Sequence, residues 1–339
     1  MLHIHNGDSA ANVAKQASLP GEHFVFREAL IEGPTPARFK NDGSTWRFIR
    51  ARHLLWAYGV ALKECSEEQQ AQEKKLASFP EHDEVVLWFE HDLFCQIHLL
   101  YLLDWFGQQQ LGNTKLSLVC IGEFPGKENF RGLGELTADE FASLFPARQE
   151  VTQTQLTLAA AAWQAYCSAD PSDIENVLQK DASALPFLKA AMGAHLMRFP
   201  STSNGLGLIE NRALQLIHGG LNRFSDLFAR FGETEPIYGF GDAQFWLALR
   251  RLSATKRPLV TIRAEADEET DQKVLTPDVV RNARLALTDV GEAVLKGEAD
   301  SLKLNSIDMW LGGVHLLGRK NLWRWDEQTD ALTFFPNLA

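Results

Sequence analysis

Short hydrophobic runs separated by polar punctuation fill the first third of the chain, and this alternation predicts strands joined through helices. Leu2 to His5 reads as a strand and Asn6-Gly7 as a turn, with Ala10 to Ala17 a helix capped by Asp8 or Ser9. Pro20-Gly21 stops that helix. His23 to Arg27 predicts a second strand, and Glu28 to Pro36 a polar segment broken at Gly33-Pro34. Trp46 to Leu62 reads as a helix, continued as an exposed, solvated face by Glu64 to Lys75. Val85 to Phe89 is a third strand and Leu93 to Phe106 a mostly buried helix. Leu116 to Ile121 is a fourth strand, ended by Gly122 and Pro125-Gly126.

Strands alternating with helices, with polar residues at the strand exits, predict an open parallel α/β sheet forming a ligand-binding domain over residues 1–125. Residues 136–252 read as a helical domain, interrupted at Asp170-Pro171, Arg198-Phe199-Pro200 and Gly219-Gly220. Pro258 to Arg263 returns to a strand pattern, and EADEETD from Glu265 to Asp271 reads as an acidic loop or exposed cap. LTDVGEAVLKG, MWLGGVHLLG, NLWRWD and ALTFF then alternate a short helix with several strands. Residues 256–339 are therefore expected to form a small winged-helix-like α+β domain, a fold analogy that carries no DNA-binding evidence.

Composition narrows the class. The 339 residues are 45% hydrophobic, enough for substantial cores in two or three domains. Lys and Arg number 33 against 44 Asp and Glu, so the formal charge of -11 supplies no overall positive field for nonspecific nucleic-acid binding. Cys65, Cys95, Cys120 and Cys167 form neither a CxxC pair nor a dense disulfide pattern, which suits a reducing compartment. MLHIHNGDS lacks the features of a secretory signal and no apolar run is long enough to span a bilayer, so a cytoplasmic protein without membrane contact is expected.

The candidate chemistry sits at the predicted strand exits, which converge at one edge of a parallel sheet. Asn6, Asp8 and Ser9 follow the first strand, Arg27, Glu28 and Glu32 the second, and Glu90, His91 and Asp92 the third. A helix start at HNGDS can bind phosphate, although an Asp8 carboxylate there repels it unless a metal or proton intervenes. Arg27 offers a guanidinium fork to an anion; Glu28 and Glu32 can accept hydrogen bonds or coordinate a divalent ion, and a salt bridge from Arg27 to a glutamate is the structural alternative. Glu90 or His91 can act as a base, with Asp92 orienting water or coordinating a metal, and Gln96 lies beside Asp92 on one helix face. Asp8, Glu90 and Asp92 are thus the candidate ligands of a divalent metal. Helix capping and internal salt bridges would use the same residues without chemistry.

No segment matches a Walker loop, a GxGxxG loop or HExxH, and FRGLGEL and SNGLGL lack the strand-turn-helix context of a nucleotide loop, so the cofactor stays open. His98 reads as a core histidine, and Cys95 and Cys120 as buried thiols. Downstream, Glu210 with Arg212 suggests a surface ion pair, and Asp242 a cap for a helix burying Phe245, Trp246 and Leu249. Arg250 and Arg251 read as a structural or solvated pair. Arg319, Lys320 and Arg324 make a modest positive patch through which the C-terminal region could meet protein or nucleic acid.

HNGDS, FREALIEGP and LWFEHDLFCQ together resemble the bacterial domain-of-unknown-function family numbered 1835, and GFGDAQFW, LTDVGEAVLKG and WLGGVHLLGRKNLWRWD resemble the companion C-terminal region of its full-length members. The resemblance spans residues 1–125 and most of 200–326; it implies a domain pattern and no catalytic assignment. Two functional expectations follow from the residues. One is a hydrolase or phosphotransfer-related enzyme acting on a small anionic, nucleotide-like substrate. The other is a ligand-responsive regulatory or interaction protein.

Overall fold

The computed structural model describes residues 1–37, 43–263 and 277–337, with the side chains of residues 277–279 excepted. The acidic run at residues 265–271 lies outside the described residues. Five strands form the N-terminal sheet: β1 (Leu2–His5), β2 (Glu22–Val25), β3 (Glu84–Glu90), β4 (Lys115–Ile121) and β5 (Gln149–Glu150), in the order β2-β1-β3-β4-β5. The first four run parallel, and β5, which the sequence reading missed, pairs antiparallel with β4. The sheet is therefore mixed but mostly parallel.

Successive residues of a strand face opposite sides, which sorts this sheet into two cores. Leu2, Ile4, Val85, Leu87 and Phe89 enter the larger apolar cluster; Val86 and Trp88 enter the smaller one, with Ala10, Val13 and Phe141. The smaller cluster lies under α1 (Asp8–Gln16) and α5 (Ala138–Leu144). On the other face, α4 (Leu93–Gly107) packs against α6 (Gln153–Cys167), and α4 is buried on nearly every side, as its predominantly apolar sequence requires. The helical stretch before β3 is two helices, α2 (Gly43–Tyr58) and α3 (Leu62–Ala77), because the chain turns at Gly59 with a φ of 74°.

The middle of the chain is helical, as the periodicity predicts: α7 (Ser172–Leu178), α8 (Leu188–Leu196), α9 (Leu208–His218), α10 (Phe224–Thr234) and α11 (Asp242–Ser253). The C-terminal region carries β6 (Val260–Arg263), α12 (Pro277–Asn282), β7 (Arg284–Leu287), α13 (Asp289–Leu295) and α14 (Ser301–Leu304), followed by β8 (Ile307–Leu311), β9 (Val314–Gly318), β10 (Lys320–Asp326) and β11 (Ala331–Asn337). Its strands pair as three small antiparallel sheets, β6 with β7, β8 with β9, and β10 with β11. The larger apolar cluster continues from Leu2 through Trp163 and Phe245 to Trp325, so the three regions share one core. No helix among the described residues is long and apolar enough to cross a membrane.

The segment after β2 departs from its polar reading. Ala29, Leu30, Ile31 and Glu32 are buried, and three arginines, two of them buried, hold the segment's two carboxylates. Arg50 pairs with Glu28 at 2.6 Å, while Arg198 and Arg251 reach the two oxygens of Glu32 at 2.6 and 2.9 Å. Burial alone would raise both carboxyls, but these guanidiniums outweigh it and hold them below the usual carboxylate range. Arg324 is likewise no part of a surface patch: it is 3% exposed, bonded to the Ser201 carbonyl and paired with Asp300 at 2.7 Å.

Candidate active site

The chain leaves β1 for β2 on one side, and β3 lies on the other, so the crevice beyond the carboxyl ends of β1 and β3 is a topological switch point where open α/β sheets bind ligands. A cavity of about 350 Å³ occupies this place, lined by Asn6, Ser9, Glu90, His91, Asp92 and Arg131, with Phe228 and Phe240 on its far wall. The start of α1 borders it. Gly7 precedes that helix in extended conformation and no side chain caps it, so neither Asp8 nor Ser9 plays the capping role expected of it. Asp8 is instead paired with Arg27 at 2.5 Å on the surface.

At the end of β3 the chain enters α4 through Asp92, which caps the helix by accepting from the Cys95 amide at 2.9 Å. One turn of helix thereby brings the Cys95 thiol to Glu90 Oε2, at 2.6 Å. The Leu133 amide donates to Glu90 Oε1 at 2.7 Å, brought there by the FRGLGEL loop, in which Gly132 adopts a φ of 155°. Behind the thiol the hydrogen bonds have one direction. Leu30 N-H donates to His98 Nε2 at 3.2 Å, which leaves the proton on Nδ1 to be donated to Asn6 Oδ1 at 2.5 Å. The Asn6 amide then donates to Cys95 Sγ at 2.7 Å, and the thiol donates to Glu90. Three buried or half-buried side chains, His98, Asn6 and Cys95, thus point their donors toward one carboxylate.

Burial, and after it the Asp92 carboxylate, push the Glu90 carboxyl up to about 7. Burial raises Asp92 as well, against the opposing bond from the Cys95 amide. Burial and the two carboxylates push the Cys95 thiol well above its ordinary value, which keeps it a hydrogen-bond donor, and burial lowers His98 to about 3, which keeps it neutral. Donor atoms of Glu90, Asp92 and Cys95 all lie within 4.8 Å of one another, close enough to hold one ion. His91 lines the same cavity with its Nδ1 buried and without a partner.

The structure brings together Asn6, Ser9, Glu90, His91 and Asp92. Arg27, Glu28 and Glu32 do not line this cavity, and Asp8 stands outside the carboxylate-thiol cluster. Gln96 holds the strand exit from behind, donating to the Glu90 carbonyl at 2.7 Å and to Cys120 Sγ at 3.4 Å. Arg131 is the guanidinium at the cavity, and among the described residues it pairs with no carboxylate. Cys95 is the buried thiol that the sequence suggests, but the sequence reading missed its bond to Glu90, along with Arg131 and the Leu133 amide. Only Cys95 carried a local signal, its position three residues after a helix-capping Asp92.

No protein-family model matches the chain, and no curated protein matches it.

Proposed function

We propose that the Glu90 cleft is the active site of a hydrolase or phosphotransfer-related enzyme for a small anionic, nucleotide-like substrate. The observation that carries this reading is the Glu90-Asp92 pair: two buried carboxyls, one titrating near neutrality, at the switch point of a mostly parallel sheet. A carboxyl poised near 7 exchanges a proton efficiently at physiological pH, so Glu90 serves as general acid or base. Asp92 orients the water or substrate hydroxyl, and the start of α1 with Arg131 receives the anion. His91 supplies a further nitrogen to the bound group.

With a divalent cation in place of the protons held by this cluster, Glu90 and Asp92 would give oxygens and Cys95 a sulfur, and Glu90 would then be a ligand in place of a general acid or base. That donor set favours zinc over magnesium. The winged-helix-like reading of the C-terminal region belongs to the same proposal as a substrate- or partner-recognition unit, with β8-β9 and β10-β11 as its hairpins.

The experiment is a thermal-shift screen of dialysed protein against zinc, magnesium and phosphate-containing metabolites, followed by turnover assays on the ligands that stabilise it. Glu90→Gln and Asp92→Asn proteins that fold normally should each lose turnover. Turnover unchanged in both would overturn the reading.

A further inference from the structure

A cavity of about 460 Å³, sharing no lining residue with the Glu90 cleft, runs between α2 and the β8-β9 hairpin. Its size is that of a small-molecule site. Phe48 and Trp56 of α2 and Trp310 of β8 form its aromatic walls. Phe48 and Trp56, two turns apart on α2, are each 57% exposed, and large aromatic side chains left open along a concave surface mark a place of recognition. His315 stacks on Trp310 with ring centroids 4.3 Å apart and planes within 10°, which fixes the indole at the groove. The same histidine bonds Asp308 at 2.8 Å and so engages the carboxylate at the rim.

The polar groups of the groove are mostly cationic or donating, and several have no partner. Arg52 lies 5.7 Å from the Phe48 ring centroid, and among the described residues it pairs with no carboxylate. Arg251 lies 6.0 Å from the Trp56 centroid; one of its terminal nitrogens holds Glu32, but its Nε is buried without a partner. His53 is only 9% exposed, and its Nε2 is likewise buried without a partner. Burial and the neighbouring Arg50 lower this histidine to about 4, so at neutral pH it presents an uncharged ring to the groove. Buried polar atoms are normally satisfied, so these two unmet groups in the groove's wall are exceptions, although neither atom itself is open to the groove.

We propose that this groove binds a small anion carried on a flat aromatic ring, the chemistry shared by a mononucleotide and an aromatic carboxylate. The ring stacks on Trp56 and Trp310, and Arg52 takes the anionic group.

Calorimetric titration of the full chain with adenosine 5′-monophosphate, indole-3-acetate and uncharged adenosine tests this. A saturable heat is expected for one or both anions, with the ring class read from which one binds, and adenosine should bind about tenfold more weakly than its phosphate. Trp56→Ala should weaken the anions about tenfold, and Arg52→Gln should remove the preference for adenosine 5′-monophosphate over adenosine. Both side chains are well exposed, so the variants should melt with the parent. The proposal is overturned if neither anion binds at millimolar concentration, or if binding is the same in both groove variants. Binding that is lost in Glu90→Gln and Asp92→Asn yet unchanged in Trp56→Ala would place the ligand in the other cleft, leaving the proposed active site standing and this groove without a ligand.

Discussion

Gly239 sits against the carboxylate of Asp92 with a φ of 60°, and a Cβ on it would fall 2.0 Å from Asp92 Oδ1. Both the left-handed backbone and the close approach demand glycine, so the loop after α10 and the start of α4 are fitted to one another. Gly239→Ala should therefore cost about 1–3 kcal/mol of stability through strain and displacement of Asp92. Gly232→Ala is the control, because nothing lies within 4 Å of its Cβ position and the residue is helical; it should be neutral or slightly stabilising. Urea unfolding of the two variants checks the contrast.

Glu90 titrates higher in the folded protein than in the unfolded chain, from the ordinary 4.5 to about 7. Its contribution to stability is full below 4.5 and is lost as pH rises through 7, because the folded state must then carry a buried carboxylate. Glu90→Gln removes that dependence. Relative to wild type, the variant should gain stability between pH 4.5 and 8, by up to about 3 kcal/mol, as read from chemical denaturation at a series of pH values.

The histidines act in the opposite sense. His3, His5 and His23 stack along β1 and β2 with ring centroids 4.7 and 5.3 Å apart, and Trp88 Nε1 donates to His3 Nδ1 at 3.0 Å. Burial lowers His3 to about 4 and His5 to about 3, so the folded protein excludes protons that the unfolded chain accepts below 6.5. Stability should fall as pH drops from 6.5 toward 4, by about 1.4 kcal/mol per pH unit for each histidine. His5→Asn should flatten that slope; an unchanged slope would show that the stack does not carry it.

Two ion pairs of equal appearance on paper should differ widely in weight. Glu32→Gln strands the buried Arg198 and takes the partner from the half-buried Arg251, and should cost about 3–5 kcal/mol, with little response to salt. Arg27→Ala breaks a pair whose partners are 53% and 63% exposed and should cost about 0–1 kcal/mol, further reduced by salt. Thermal melts at low and high ionic strength compare them. The Glu32 knot also borders the cleft, because the Arg198 guanidinium lies 5.7 Å from the Phe240 ring centroid.

What the sequence determined by itself were the features set by local periodicity and short-range geometry. The four parallel strands, the buried α4, the helical middle and the Asp92 cap rest on spacings of two, three and four residues, which operate wherever the segment lies. Only the tertiary structure decided which charge meets which. Arg27, Glu28 and Glu32 occur within six residues of one another, yet their partners are Asp8, Glu68, Arg50, Arg198 and Arg251, drawn from five other segments. A guanidinium shows no preference among carboxylates until packing brings one within reach and removes water from between them. For the same reason Arg131, the Leu133 amide and Gly239 reached the cleft through the path of the whole chain, with no local signal to announce them.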